Sequence, residues 1–123
     1  VAPLLGGDIE YLGYLDHSAL VALAGSAAVA VVSPCWDEPY GLVVAEALAC
    51  GTPVAGYARG ALPELLDDPT GILADPGDIP GLATAITAAS TLDRRRVRVH
   101  AERTCSLTTM VDNYESLYRA LAS

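Results

Sequence analysis

Apolar residues in this chain fall into short continuous runs separated by longer, interrupted ones. The runs at 27–33, 53–57 and 71–74 have the length and composition of buried strands, and 11–13 reads as the end of another. Helical stretches lie between and after them. One is 17–24 behind a capping Asp16, and a second is an apolar run opened by Pro39 and closed by Gly51. A short helix is predicted at 63–67, and three more at 79–90, 93–103 and 108–122. Asp75-Pro76-Gly77 is a turn by composition. Strands alternating with helices predict an α/β fold: a parallel sheet with right-handed crossovers and flanking helices. Ligands of such sheets bind at the carboxyl ends of the strands, and both Glu38 and Gly60 follow strands on that edge.

The run 39–50 is apolar at every position except Glu46. A helix that is hydrophobic all round is a buried helix, so Glu46 is expected to be desolvated. An isolated buried carboxylate is costly unless something pairs with it, and the run holds no Lys, Arg or His. A second carboxylate, Glu38, stands just before the helix. If the helix reached back that far, a rise of 1.5 Å per residue would put the two roughly 12 Å apart. The free N–H groups of a helix start would lie between them, and these favour phosphate. Acceptor, anion site, acceptor is an order suited to a sugar–diphosphate–ribose ligand. The plainer alternatives are that Glu46 reaches an Arg elsewhere or the solvent, and that Glu38 only complements the helix dipole, worth about 0.3–1 kcal/mol.

The segment Ser33-Pro34-Cys35-Trp36-Asp37-Glu38-Pro39-Tyr40-Gly41-Leu42, continuing through Glu46 to Gly51-Thr52-Pro53-Val54, resembles the E-x7-E block of retaining GT-B glycosyltransferases. Arg59-Gly60-Ala61-Leu62-Pro63-Glu64 and Thr70-Gly71-Ile72-Leu73 resemble the next two landmarks of that family. Ile9-Glu10-Tyr11-Leu12-Gly13 resembles the strand and glycine that precede the block, and Met110-Val111-Asp112-Asn113-Tyr114 the terminal helix. The resemblance covers nearly the whole chain in the family's order. It implies that residues 1–123 are a single partial nucleotide-sugar-binding domain: a Rossmann-like sheet from the C-terminal half of a GT-B enzyme, truncated at its start.

The resemblance also implies roles. Glu46 would accept both hydroxyls of the donor's ribose, and Glu38 would act on the transferred sugar as the catalytic-side residue. The amides of Gly41 and Leu42 would bind diphosphate or sugar, with Tyr40 beside them, and Leu15 would contact the base. A side chain at Gly41 would obstruct the phosphate. The donor is a nucleotide sugar, with no further cofactor and no metal. Family members also place an early Arg and Lys on the diphosphate, and an N-terminal acceptor domain across the cleft. This chain has neither, so alone it is expected to be inactive and prone to self-association. The alternative function is a non-catalytic nucleotide-sugar-binding or assembly module of the same fold.

Composition narrows the field. The net charge is −8, and the seven basic residues are all Arg. That balance argues against nucleic acid or an anionic membrane as a partner. The absence of Lys removes Schiff-base chemistry. No G-x-G-x-x-G follows any strand, which disfavours a dinucleotide-dependent oxidoreductase. No Asp-x-Asp is present to hold a metal–diphosphate, and His17 and His100 lack neighbours at metal-ligand spacing. Cys35, Cys50 and Cys105 read as reduced packing thiols of a cytoplasmic protein. No signal peptide or membrane-length apolar run is visible, and the missing initiator Met points to an excised piece. Arg94, Arg95, Arg96 and Arg98 read as a solvated helix face. Val111, Tyr114, Leu117, Tyr118 and Leu121 form a stripe expected to face the core.

Overall fold

The computed structural model describes residues 2–67 and 69–123. Among these residues three parallel strands, β1 (Ala30–Val32), β2 (Val54–Tyr57) and β3 (Gly71–Ala74), pair in chain order. Ala30 lies opposite Val54, and Val54 opposite Gly71. Among the described residues six α-helices accompany them: α1 (His17–Ser26), α2 (Leu42–Ala49), α3 (Leu62–Leu65), α4 (Ile79–Ala89), α5 (Arg94–Thr104) and α6 (Leu107–Leu121).

Alternation along β2 divides the core into two layers. Val54 packs with Val44 and Leu48 of α2, Leu62 of α3 and Val97 of α5. Ala55 points the other way, to Ala85 and Ala89 of α4. The small residues on that second face let α4 lie close against β2 and β3. A Cβ at Gly71 would come within 2.5 Å of the Val54 carbonyl oxygen, so this glycine is required for the close pairing of β3 with β2.

Local chemistry sets the helix ends. The Asp16 carboxylate accepts from the Ala19 N–H at 2.8 Å, capping α1. That bond, with a second from Ser18, holds the Asp16 carboxyl below its ordinary range, so the cap persists under mildly acidic conditions and is lost only as pH falls through the lowered value. At the other end of α2, Thr52 N–H donates to the Ala47 carbonyl and Gly51 N–H to that of Leu48, the paired bonds of a Schellman stop. Gly51 takes φ +70° there and ends the helix where the sequence predicts.

Several expectations are corrected. The segment 11–13 is not a strand, because no strand among the described residues offers it a ladder; the nearby backbone pairing is an isolated bridge between Gly6 and Ile9. β1 is a short edge strand rather than a buried one: it pairs only with β2 among the described residues, and Val31 is 48% exposed. The three strands close on one another without a gap. α2 begins at Leu42 rather than Pro39, because Gly41 adopts φ +82° and breaks the helical path. α6 buries none of its residues, so its apolar stripe faces outward. Arg94 is not on a solvated face: its guanidinium donates to the carbonyls of Ala27 and Gly25 and to Thr52 Oγ1, docking α5 onto the C-terminal end of α1 and the turn that leads into β2.

An unpaired edge with exposed apolar neighbours is a template for association. The chain is therefore expected to form dimers or larger species as its concentration rises, measured by sedimentation velocity. A single monomeric boundary at high concentration would contradict this.

Candidate donor site at the carboxyl edge of the sheet

The loop between β1 and α2 is held from outside by the loop that follows β2. Arg59 Nη1–H donates to the Cys35 carbonyl at 2.7 Å, and Ala61 N–H donates to the Glu38 carbonyl at 2.8 Å. Gly60, at φ +57°, lies so close that a Cβ there would meet Glu38 N at 2.4 Å and Glu38 O at 2.5 Å. Two loops on the carboxyl edge of adjacent strands thus form one unit, with Glu38 at their junction.

Glu38 is half-buried, and both of its carboxylate oxygens are engaged. Oε2 accepts from Trp36 Nε1–H at 3.1 Å; Oε1 accepts a longer bond, 3.4 Å, from the Gly41 N–H. Gly41 is buried, and its left-handed conformation turns the chain into α2. The first amides of α2, those of Leu42 and Val43, have no acceptor among the described residues, as is usual for a helix start. A Cβ at Gly41 would also press on Leu65 Cδ1 at 3.0 Å, so the residue is required for backbone conformation and packing alike.

Glu46 is exposed, contrary to its expected desolvation. The helix does not bury its whole circumference. Val44, Ala47 and Leu48 face the core, while Leu42, Val43 and Glu46 share the opposite arc; Leu42 is 66% and Val43 62% exposed. Among the described residues, the Glu46 carboxylate has neither an ion pair nor a hydrogen bond. The helical spacing of Glu38 to Glu46 also fails, since Glu38 belongs to the loop and the helix starts four residues later.

The two glutamates open into different clefts. Ser33, Trp36, Glu38, Gly41 and Leu42 line one of about 340 Å³. Tyr40, Leu42, Glu46, Arg98, Glu102 and Ser106 line another of about 330 Å³. Leu42 and the start of α2 separate the two. A third cleft of about 250 Å³ joins Glu46 and Arg98 to His17 and Val21 of α1 and to Cys50. Leu15, half-buried just before the α1 cap, lies outside all three clefts.

Arg98 is the residue of this region that sequence reasoning missed. It donates to the Ala49 carbonyl at the end of α2 and pairs with Glu102 at 2.7 Å. The signal was present: Arg94, Val97, Arg98 and Ala101 recur at helical spacing, so both arginines share the face that Val97 and Ala101 bury. Trp36 was also passed over, although it stands two residues before Glu38.

The family model described as glycosyl transferases group 1 matches residues 3–103, and the chain belongs to that family. It is 40% identical over 103 residues to the glycogen synthase of Mycobacterium tuberculosis, a match that covers 79% of this chain and 24% of that protein. It is 39% identical over 103 residues to the D-inositol 3-phosphate glycosyltransferase of Corynebacterium kroppenstedtii, covering 76% of this chain and 23% of that one. Among solved structures, sucrose-phosphate synthase from Thermosynechococcus elongatus superimposes with a TM-score of 0.76 at 34% identity, covering 95% of this chain and 32% of that one. The fold is therefore a portion of the Rossmann-like parallel sheet of GT-B glycosyltransferases. The chain spans about a quarter of the length of the curated relatives it matches. No helix among the described residues is long and apolar enough to cross a membrane.

Proposed function

We propose that this chain is the donor-binding portion of a retaining glycosyltransferase that moves a hexose from a nucleoside-diphosphate sugar to an acceptor. The observation that carries the reading is the order of groups along one loop and helix: a braced carboxylate at Glu38, free amides at Leu42 and Val43, and an unpartnered carboxylate at Glu46. Glu46 accepts the two adjacent ribose hydroxyls, a task for an ionised carboxylate with no competing partner. The helix-start amides take the diphosphate, where negative charge is favoured. Glu38 takes hydroxyls of the hexose in the cleft it shares with Trp36. Tyr40 flanks the nucleotide side of Leu42, and Leu15 meets the base.

Rate enhancement in such a site comes from stabilising the departing diphosphate and an oxocarbenium-like transition state. The helix amides supply part of that stabilisation. A cationic pair and an acceptor domain outside these residues supply the rest, so the chain alone transfers no sugar and binds donors no better than about millimolar. The donor needs no further cofactor.

The test separates the sugar from the nucleotide. In the full-length protein, Glu38→Ala should reduce turnover of the sugar nucleotide far more than it reduces binding of the bare nucleoside diphosphate. Equal losses for both ligands would show that Glu38 serves only to build the loop.

A further inference from the structure

We propose that Trp36 is a positioning and sugar-contacting residue of this site: its indole N–H fixes the Glu38 carboxylate, and its ring forms a wall of the cleft in which the hexose lies. The inference rests on the donor-site reading of that cleft. Three observations support it.

Trp36 is 63% exposed, although burying so large an apolar ring would be favourable, so the fold holds it at the surface without using it as core. It lines the same cleft as Glu38, with Pro34 and Leu42 as further apolar wall. Its one polar atom is committed, because Nε1–H donates to Glu38 Oε2 at 3.1 Å.

That hydrogen bond differs from the other contact on the carboxylate. The Gly41 N–H reaches Oε1 only at 3.4 Å, beyond the usual range, so the indole is the stronger of the two constraints on the rotamer of Glu38. A carboxylate gripped at one oxygen by a rigid ring keeps its remaining acceptor positions directed into the cleft for sugar hydroxyls. The flat apolar face beside it complements the C–H face of a pyranose. An aromatic wall with one oriented polar group is the usual chemistry of a small-ligand pocket.

The two roles are separable by substitution in the full-length protein. Trp36→Phe keeps an aromatic ring and removes only the donor. The expected result is a fall in kcat of about tenfold with KM for the sugar nucleotide nearly unchanged. Trp36→Ala removes the wall as well, so KM for the sugar nucleotide rises too, while inhibition by the bare nucleoside diphosphate stays at the wild-type level in both variants. Wild-type kcat in Trp36→Phe would overturn the positioning role. Equal weakening of sugar nucleotide and bare nucleotide in Trp36→Ala would show that the residue merely builds the loop, and would overturn the sugar contact. Failure of the donor reading looks different: the wild-type protein itself would bind no sugar nucleotide.

The grip on Glu38 has a readout that needs no ligand. Trp36 is the sole tryptophan of these 123 residues, so in the chain by itself tryptophan fluorescence reports this position alone. Glu38→Ala should lower the emission anisotropy by freeing the ring, and Glu38→Gln, which keeps an acceptor, should restore most of it. Anisotropy unchanged by Glu38→Ala would overturn the grip.

Discussion

Gly60→Ala is expected to lower the stability of this chain by about 2–6 kcal/mol, combining the cost of a left-handed alanine with that of overpacking. The overpacking is of an unforgiving kind. The added carbon would meet the backbone nitrogen and oxygen of Glu38 at 2.4 and 2.5 Å, and neither atom can swing aside as a side-chain terminus can. Relief requires the loop 33–41 to move away from the loop after β2. That movement breaks the Ala61–Glu38 and Arg59–Cys35 hydrogen bonds and displaces Glu38. Gly77 provides the control. It also has a positive φ, +87°, but a Cβ there meets nothing within 4 Å. Gly77→Ala therefore isolates the conformational cost, about 1–3 kcal/mol. Urea denaturation of both variants should show a clearly larger loss for Gly60→Ala, and equal losses would mean that the two loops are not in contact as described.

Much of this architecture was legible because local signals and tertiary demand agree. Gly71–Ala74 forms the third strand at its predicted limits, and α4 and α5 fall within a residue or so of their predicted ends. Asp78 and Asp93, whose side chains accept from nearby helix-start amides, mark the starts of those two helices. What could not be read was anything that depends on the partner available to a segment. Residues 11–13 have strand composition, but a strand exists only where a neighbouring backbone accepts it.

The apolar arc of α2 predicted burial, yet burial requires an opposing surface. Leu42, Val43 and Glu46 line open clefts and are left exposed there, because the facing residues of α1 and α5 do not close over them. The stripe on α6 is left exposed too. Periodicity identifies which face of a helix is apolar without saying what covers it. Within the site, Glu38 and Glu46 were singled out by residue type and order, and Gly41 and Leu42 by the family resemblance. The separation of the two glutamates into neighbouring clefts did not, because it depends on a single left-handed residue, Gly41.

Glu46→Gln is expected to weaken nucleotide binding by about 1–3 kcal/mol, or roughly 5- to 150-fold, in the full-length protein. The substitution conserves shape and removes the charge that strengthens two hydrogen bonds from the ribose. It also leaves the fold alone. Glu46 is exposed and accepts no hydrogen bond from any described residue, and its neighbours on the exposed arc, Leu42 and Val43, contribute no polar partner. The denaturation midpoint should thus stay at the wild-type value while affinity falls. A loss of affinity accompanied by equal destabilisation would point to a structural role.

The most direct measurement of the donor-site assignment is a calorimetric titration of a nucleoside diphosphate into the full-length wild-type protein and its Glu46→Gln variant under identical conditions. The expected result is saturable binding by the wild type and an affinity reduced at least about fivefold in the variant, with both proteins equally stable. Identical affinities for the two proteins would contradict the assignment of Glu46 to the ribose, and with it the reading of α2 as the nucleotide-binding edge.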